Sequence, residues 1–383
     1  MTPPISVTEV VTRRDRRRFL EIPDLVYRND PNWVAPLGSE VRKLLNRRRN
    51  PFFDHGEACS WLAWREGKPV GRISAQVNRL HLETHRDATG HFGFLEAIDD
   101  AAVFEALLRT AAGWLRARGL ARALGPCSLS MNDEIGVLIS GFSHPPVIAT
   151  THAPPYYAPR LEVAGYSKAK DLHAFRLEID EDRNPAIPEL LRHAARIGRD
   201  GRVRVRPIDM RRFGTEMRAG IAVYNDGWSA NWGFVPVTPR EVEHLLATLK
   251  PVIDPRGILL GEIDGRIEGL LVAIPDLNEL IGDLRGRLLP LGWAKLLWRL
   301  RTRSPKGGRI MLAGLTKAHQ NSALGAAMLV WMFADILKAA RELGYRYVEF
   351  SWVLEDNTRS IALCERYGGR PYKTYRLYQK SLV

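Results

Sequence analysis

The two halves of the chain repeat one pattern of apolar runs and turns at a spacing of about 200 residues. Each half has a hairpin signal, two apolar runs around a polar turn with glycine, at 60–77 and at 258–274. A third apolar run and a long amphipathic helix follow, and glycine comes directly after each predicted helix, as Gly119 and Gly344. A further strand, helix and strand complete each half, so the order β-β-β-α-β-α-β is predicted twice.

The repeat predicts two α/β domains in tandem, each with a mixed, mostly antiparallel sheet flanked by helices. A chain of 383 residues is also long for one hydrophobic core. We assign the domains to 1–180 and 181–383, with an insertion in the second domain at about 276–308. A repeat of this length indicates duplicated domains and not a solenoid, whose periods are about 20–50 residues.

The two halves differ in the loop between the third strand and the long helix. In the second half, small residues such as Ala323, Gly325 and Ala326 stand where the loop becomes helix. A helix N-terminus has N–H groups without partners and a partial positive charge, so it can hold a phosphate or pyrophosphate. In the first half, Glu96-Ala-Ile-Asp-Asp100 has no glycine and three carboxylates, which would repel such a ligand. The second half therefore carries the predicted anion site, and the first domain is expected to form the acceptor side.

Charge and composition limit the classes of function. The net charge is +13, which indicates attraction to anions such as lipid headgroups, coenzyme A or an acidic acyl-carrier protein. No basic run with interleaved aromatic residues resembles a base-stacking platform, so nucleic acid is not an expected partner. The three cysteines lie far apart, which argues against a zinc site or a disulfide framework. No signal peptide or membrane-spanning segment is evident, and we expect a cytoplasmic protein.

The predicted insertion combines tryptophan, leucine and basic residues. The apolar positions are Leu291, Trp293, Leu296, Leu297, Trp298 and Leu300, and the basic ones are Arg285, Arg287, Lys295, Arg299, Arg301 and Arg303. This pattern suits a helix in a membrane interface, at the anionic inner face of the membrane. A basic surface helix packed on its own protein is the other interpretation.

The loop Gln320-x-x-Ala323-x-Gly325 resembles the Arg/Gln-x-x-Gly-x-Gly/Ala loop of the GNAT acyltransferase superfamily. Further runs are similar to one bacterial subgroup of that superfamily, which contains the bacterial ceramide synthases. They are Asp30-Pro-Asn-Trp33, Asn50-Pro-Phe-Phe53, Gly71-Arg-Ile-Ser-Ala75, His91-Phe-Gly-Phe94, Asn132-Asp-Glu134, Asn231-Trp-Gly-Phe-Val-Pro236, Pro275-Asp-Leu-Asn278 and Tyr372-Lys-Thr-Tyr-Arg376.

The resemblance implies an acyl-coenzyme A co-substrate, with an acyl-carrier protein as the alternative donor, and no metal. The residues that it assigns to the co-substrate are Leu315, Gln320, Asn321, Ala323, Leu324, Gly325, Ala326 and Asn357. Tyr367 resembles the tyrosine that protonates the leaving thiolate, although Gly369 stands where the superfamily usually has phenylalanine.

Acyl transfer to an amine also needs a group that removes the amine proton. Glu349 is one candidate, because strand alternation puts it on one face with Ser351, opposite apolar neighbours. The first domain offers alternatives, which are Glu96, Asp133, Glu134 and His152. Residues expected to line the acceptor pocket are Glu96, Asn225, Trp228, Asn231 and Trp232.

These observations predict an N-acyltransferase that moves a long fatty acyl group to the amine of a sphingoid base, 3-ketosphinganine or sphinganine. An acyltransferase for another amine, and a lipid-binding protein without catalytic activity, are the alternatives.

Overall fold

The computed structural model describes residues 3–197, 201–250 and 253–383. Contacts within the chain divide it into two compact units. Unit 1 contains the described residues up to Leu172, together with Ile281–Ala294 and Lys373–Val383. Unit 2 contains the described residues of His173–Leu280, together with Lys295–Tyr372.

The described elements up to residue 178 combine helices and strands. In chain order they are β1 (Ser6–Glu9), α1 (Arg13–Val26), α2 (Gly38–Leu44), α3 (Phe52–His55), β2 (Gly56–Arg65), β3 (Lys68–Asn78), α4 (Arg79–His85), β4 (Thr89–Ala97), α5 (Ala101–Arg116), β5 (Arg122–Gly125), β6 (Val137–Ser140), α6 (Tyr157–Val163) and β7 (Ser167–Glu178).

The rest of the chain continues in the same way. Its elements are α7 (Ile187–Ile197), β8 (Val203–Pro207), α8 (Phe213–Gly227), α9 (Pro239–Leu249), β9 (Ile258–Ile263), β10 (Arg266–Pro275), α10 (Asn278–Ile281), α11 (Gly292–Thr302), β11 (Gly307–Leu315), α12 (Ala323–Glu342), β12 (Tyr347–Leu354), α13 (Thr358–Arg366) and β13 (Arg370–Ser381).

Both units contain the same sheet motif. In unit 1, β2, β3 and β4 form antiparallel pairs, α5 follows, and β5 pairs with β4 in parallel. In unit 2, β9, β10 and β11 form antiparallel pairs, α12 follows, and β12 pairs with β11 in parallel. The predicted fold class, two tandem units with mixed, mostly antiparallel sheets, is confirmed.

The core of unit 2 is built around α12. Met328, Met332 and Phe333 are completely buried, and the ring of Phe333 lies edge-on to Phe350 at 5.5 Å. By length and composition α12 could cross a membrane, but 50% of its apolar stretch is buried inside the protein. Packing in the core therefore accounts for its apolar composition.

The parallel strand pair of unit 2 opens towards its end. Pairing between β11 and β12 runs from Gly307 opposite Tyr347 to Ile310 opposite Phe350, whereas β11 continues to Leu315. On its other edge, β11 stays paired with β10 as far as Leu315. The edge of residues 311–315 that faces β12 therefore lies beyond the last residue of this parallel pairing, Ile310.

Unit 1 closes the corresponding opening. Pairing of β4 and β5 ends at His91 opposite Leu124, but the chain after β5 stays against β4, where Cys127 N donates to Phe92 O at 2.8 Å. A Cβ atom on Gly93 would lie only 1.9 Å from Cys127 O, so only glycine permits this approach. The two copies of the motif thus differ at the point where their strands diverge.

Three histidines form a cluster in unit 1. The ring of His81 on α4 lies 4.5 Å from that of His85 and 4.6 Å from that of His91 on β4. His91 is 1% exposed, and burial lowers its pKa from 6.5 to about 3. Burial also lowers the pKa of His81, to about 4, although Asp87 opposes the shift. Both imidazoles are therefore neutral in the folded protein at neutral pH.

This cluster predicts a loss of stability in mild acid. A folded pKa below the unfolded value gives full stability above about pH 6.5 and a loss as the pH falls, because only the unfolded chain takes up the proton. For His91 the loss at pH 5 should be about 2 kcal/mol. Urea unfolding at pH 7.5 and pH 5 should show a smaller difference for His91→Leu than for the wild type. His244→Gln, at an exposed position of α9, is the control, and equal differences for all three proteins would contradict the prediction.

Candidate active site

The N-terminus of α12 is an exposed, capped helix end in unit 2. Ser322 Oγ accepts a hydrogen bond from Gly325 N at 2.9 Å, and Ala326 N donates to Ser322 O. Ala323 and Ala326 are exposed, so no bulky side chain covers this end of the helix. The arrangement suits an anion, because the N–H groups of the first turn point along the axis towards it.

Gly325 is required by the loop itself. A Cβ atom at this position would lie 2.0 Å from His319 O and 2.8 Å from Leu315 Cδ1. The glycine thus lets the turn of residues 316–322 pack on the first turn of α12. A substitution of Gly325 would disturb the loop in any case, and exposed Ala326 is the better position at which to test ligand binding.

Two side chains hold the loop in place. Gln320 Nε2 donates to Gly227 O at 2.6 Å and to Leu315 O at 3.2 Å, so the amide connects the loop to the ends of α8 and β11. From α13, Arg359 Nη1 donates to Gln320 O at 3.0 Å and also to the Asn321 side chain. The predicted co-substrate role of Gln320 and Asn321 stays a prediction, next to these structural contacts.

The C-terminal end of α8 packs directly on the end of β11. A Cβ atom on Gly314 would lie 2.0 Å from Trp228 Cη2, and one on Gly227 would lie 2.1 Å from Leu315 O. Trp228, predicted to line the acceptor pocket, therefore covers the strand that carries the loop. Leu315 itself is 2% exposed and belongs to the core.

The remaining acceptor-pocket candidates of unit 2 lie in the same region of the chain. Asn225 Nδ2 donates to Val237 O at 3.0 Å, and Val237 N donates back to Asn225 Oδ1 at 2.9 Å. Asn225 thus clamps the segment after α8. Asn231 and Trp232 are half-buried within that segment, where Asn231 N donates to Trp228 O at 2.7 Å.

A buried polar network lies where β11 and β12 diverge. Glu349 is 0% exposed, and its two carboxylate oxygens accept hydrogen bonds from the hydroxyls of Ser351 and Tyr372. Arg309 Nε donates to Ser351 Oγ at 2.9 Å and lies 3.9 Å from Glu349 Oε1. The ring of Trp352 stacks under the Arg309 guanidinium at 4.7 Å. Because Tyr372 is only half-buried, its hydroxyl connects the buried carboxylate towards the surface.

Tyr367 and Asn357 flank α13. Asn357 caps the helix, with its Oδ1 accepting from Ser360 N at 3.1 Å. Tyr367 is 2% exposed, its hydroxyl lies 3.3 Å from His193 Nδ1, and Asn184 Nδ2 donates to its carbonyl at 2.9 Å. Burial raises the pKa of the Tyr367 phenol. The role of Tyr367 as the acid for the thiolate stays a prediction, and its packing contacts are the observed ones.

Unit 1 gathers its candidates around Tyr27. Tyr157 OH donates to Glu96 Oε2 at 2.7 Å, and Arg72 lies 3.9 Å from the same carboxylate. Tyr27 OH donates to His152 O at 2.9 Å, and His152 Nε2 lies 2.7 Å from Asp30 Oδ2. Burial raises the pKa of Glu96 and lowers that of His152, and Arg72 and Asp30 respectively lessen the two shifts. Both shifts favour an uncharged form, which is the protonated carboxyl for Glu96 and the neutral imidazole for His152.

An open cavity of about 480 Å³ adjoins this network in unit 1. Its lining includes Leu25, Asp30, Pro154 and Tyr156. Apolar walls therefore lie next to Asp30, the carboxylate that contacts His152. The other two candidates of unit 1 lie in one turn: Asp133 Oδ2 accepts from Ser130 N at 3.1 Å, and Glu134 is exposed. Within residues 3–197, 201–250 and 253–383 no group of histidines, cysteines and carboxylates could hold a metal ion.

The amino-acid sequence has two close curated relatives. The bacterial ceramide synthase of Caulobacter vibrioides (strain NA1000 / CB15N) is 44% identical over 379 residues, which are 99% of this chain and 98% of that protein. The chain belongs to the bacterial ceramide synthase family. Protein YghO of Escherichia coli (strain K12) is 37% identical over 377 residues, which are 98% of this chain and 95% of that protein. No protein-family model matches the chain.

Solved structures support the fold of this family member. A tandem GNAT protein from the clavulanic acid biosynthesis pathway has a TM-score of 0.57 at 14% identity and covers 99% of both chains. A GCN5-related N-acetyltransferase from Sphaerobacter thermophilus has a TM-score of 0.53 at 15% identity, over 100% of this chain and 97% of the other. The predicted GNAT fold and the resemblance to bacterial ceramide synthases are confirmed, and the chain is an acyltransferase.

Several residues of the family member's candidate site were not predicted. In the sequence, Arg309 is only a polar residue at the start of a predicted strand. Tyr372 appears only within one of the runs that resemble the bacterial ceramide synthase subgroup. Strand alternation predicts that Ser351 shares a face with Glu349, and the hydrogen bond between them confirms that face. A carboxylate in the middle of an apolar strand was the one signal that pointed to this network.

The Glu349 network predicts a coupled loss of turnover. If Glu349 accepts the amine proton through the Tyr372 hydroxyl, Glu349→Gln and Tyr372→Phe should each lower kcat by about 100-fold. The double variant should be no worse than the poorer single variant, because the two groups act as one unit. Thiol release from an acyl thioester measures kcat.

Tyr347→Phe is the matched control for this experiment. Tyr347 OH also donates to carboxylates of unit 2, Asp276 Oδ2 at 3.2 Å and Glu279 Oε1 at 3.0 Å. Its removal should cost a similar hydrogen bond without the loss of kcat. A Tyr372→Phe enzyme that keeps the wild-type kcat would rule out the relay.

Proposed function

We propose that the chain moves a long fatty acyl group from acyl-coenzyme A to the amine of a sphingoid base, 3-ketosphinganine or sphinganine. The observation that carries this proposal is the edge of residues 311–315, which faces β12 beyond the last paired residue, Ile310, and is followed after one loop by the exposed N-terminus of α12. Membership of the bacterial ceramide synthase family supports a lipid amine as the acceptor.

The donor would lie along unit 2. The N–H groups of the first turn of α12, beside exposed Ala323 and Ala326, would hold the pyrophosphate. Exposed Lys317 and Arg359 add positive charge near the loop. The backbone of residues 312–315 would form hydrogen bonds with the amide groups of the donor, because its edge towards β12 lies beyond the last paired residue, Ile310.

The reaction joins nitrogen to the acyl carbon and releases a thiol. The amine nitrogen attacks the thioester carbonyl, so a C–N bond forms and the C–S bond breaks. One proton leaves the nitrogen and one proton is taken by the thiolate, so the overall products are an amide and the free thiol. An acceptor that arrives as an ammonium ion must lose one more proton to solvent before it can attack.

Two sets of residues could remove the amine proton. In unit 2, the half-buried Tyr372 hydroxyl would pass the proton to Glu349. In unit 1, His152 with Asp30 is the alternative, supported by its neutral form and by the adjoining cavity. Tyr367 is the proposed proton source for the thiolate, as in the GNAT pattern.

A charge at Ala326 should weaken donor binding without harming the fold. Ala326→Glu puts a carboxylate beside the proposed pyrophosphate site, and an acidic residue in the first turn of a helix stabilises that helix. The KM for palmitoyl-coenzyme A should rise about tenfold or more, which corresponds to about 1.4 kcal/mol, while the thermal midpoint stays unchanged. Ala326→Gln, of the same size but neutral, should keep a nearly normal KM. An Ala326→Glu enzyme with the wild-type KM would contradict this donor site.

The acceptor is tested by an amine panel. Purified protein, palmitoyl-coenzyme A and 3-ketosphinganine, sphinganine or a polyamine are mixed, and thiol release is followed together with mass spectrometry of the product. An N-acyl sphingoid base is the expected product. Turnover with a different amine alone would retain acyl transfer and reject the sphingoid acceptor. A parallel reaction with palmitoyl-acyl-carrier protein as the donor should be slower than the one with palmitoyl-coenzyme A. If it is faster, the carrier protein replaces coenzyme A as the proposed donor.

A further inference from the structure

Exposed apolar side chains are concentrated on one segment of the chain. Among the residues that the structure describes, nine large apolar side chains are exposed, and six of them lie between 289 and 300. These six are Leu289, Leu291, Trp293, Leu297, Trp298 and Leu300, whereas the others, Val11, Val163 and Val383, are scattered. A contiguous set of this kind marks an interaction surface more often than single exposed residues do.

The helix α11 presents part of this segment outwards. Trp293, Leu297 and Leu300 are spaced i, i+4 and i+7, so they share one face of the helix. Trp293 is 53% exposed. On the inner side, Arg299 is buried and its Nη1 donates to Leu280 O at 2.6 Å. The helix is thus anchored by one face, and its apolar face is left towards solvent.

Positive charge surrounds the apolar face. Residues 285–303 include six arginine and lysine residues and no aspartate or glutamate. Lys295, Arg301 and Arg303 are exposed, and the Arg303 guanidinium lies 5.4 Å from the centre of the Trp298 ring. Arg287, which precedes α11, lies 3.7 Å from Asp24.

We propose that residues 289–303 dock on an anionic lipid bilayer. Tryptophan and leucine side chains would enter the boundary between headgroups and acyl chains, and the basic residues would contact anionic headgroups. Tryptophan favours this boundary because its ring is apolar and its N–H is polar. A second copy of the chain is a poor occupant, since a symmetric contact would bring two strongly positive segments together. The inference does not depend on the proposed acceptor.

The test measures binding of the full-length protein to vesicles without any substrate. Co-sedimentation is compared for vesicles of phosphatidylcholine alone and with 30% phosphatidylglycerol, at low and high salt. The variant Trp293→Ser/Leu297→Ser/Trp298→Ser should bind anionic vesicles at least about tenfold more weakly. In Lys295→Gln/Arg301→Gln/Arg303→Gln, the affinity for vesicles should fall about fivefold for each residue replaced. This loss should be seen only with anionic vesicles at low salt.

Val163→Ser, an exposed apolar residue outside the segment at 76% exposure, is the matched control and should bind like the wild type. Circular dichroism and the thermal midpoint check folding, and the single variant Trp298→Ser replaces the triple variant if the latter does not fold. Equal vesicle binding by wild type and apolar variant would overturn the proposal. A second result would also overturn it: the wild type does not bind vesicles and is oligomeric, whereas the apolar variant is monomeric. The segment would then join two copies of the chain.

Discussion

The end of β11 tolerates almost no side-chain volume, and the candidate site of unit 2 depends on this constraint. Gly227, Gly314 and Gly325 each face an atom within about 2 Å of the position that a Cβ atom would take. These approaches fix α8, the loop and α12 against one strand end. Because β10 pairs with one edge of β11 as far as Leu315, only the edge towards β12 is left, and β12 has already diverged after Ile310.

The two copies of the motif show how one fold can keep or lose such an opening. In unit 2 the divergence holds a carboxylate, two hydroxyls and an arginine, which are costly to bury and persist only as a hydrogen-bonded network. In unit 1 the backbone around Cys127 occupies the corresponding place, with Gln76 Nε2 donating to Cys127 O at 2.6 Å. The polar groups of unit 1 are gathered elsewhere, around Tyr27. The two copies of the motif thus differ in where their buried polar groups lie.

Much of the fold could be predicted because it depends on local patterns. Hairpin turns, helix ends and the repeat determine the strand order, and the long helices predicted to end before Gly119 and Gly344 are observed at Ala101–Arg116 and Ala323–Glu342. The site was less accessible, since its contacts join residues far apart in the chain, such as Arg309 and Ser351. An amide such as Asn225 or Gln320 looks the same in a sequence whether it meets a ligand or a backbone carbonyl. Only the structure shows that both amides bind backbone groups.

The last strand of the chain has a consequence for the order of synthesis and folding. Although β13 follows every element of unit 2, its residues from Lys373 onwards belong to unit 1, where Tyr378 to Ser381 pair with β5 and Arg116 Nε donates to Leu382 O at 2.8 Å. The edge of β5 therefore stays unpaired on the ribosome until residues 378–381 emerge, after all of unit 2. A chain cut before Lys373 leaves its N-terminal half with an exposed strand edge, the feature that promotes aggregation.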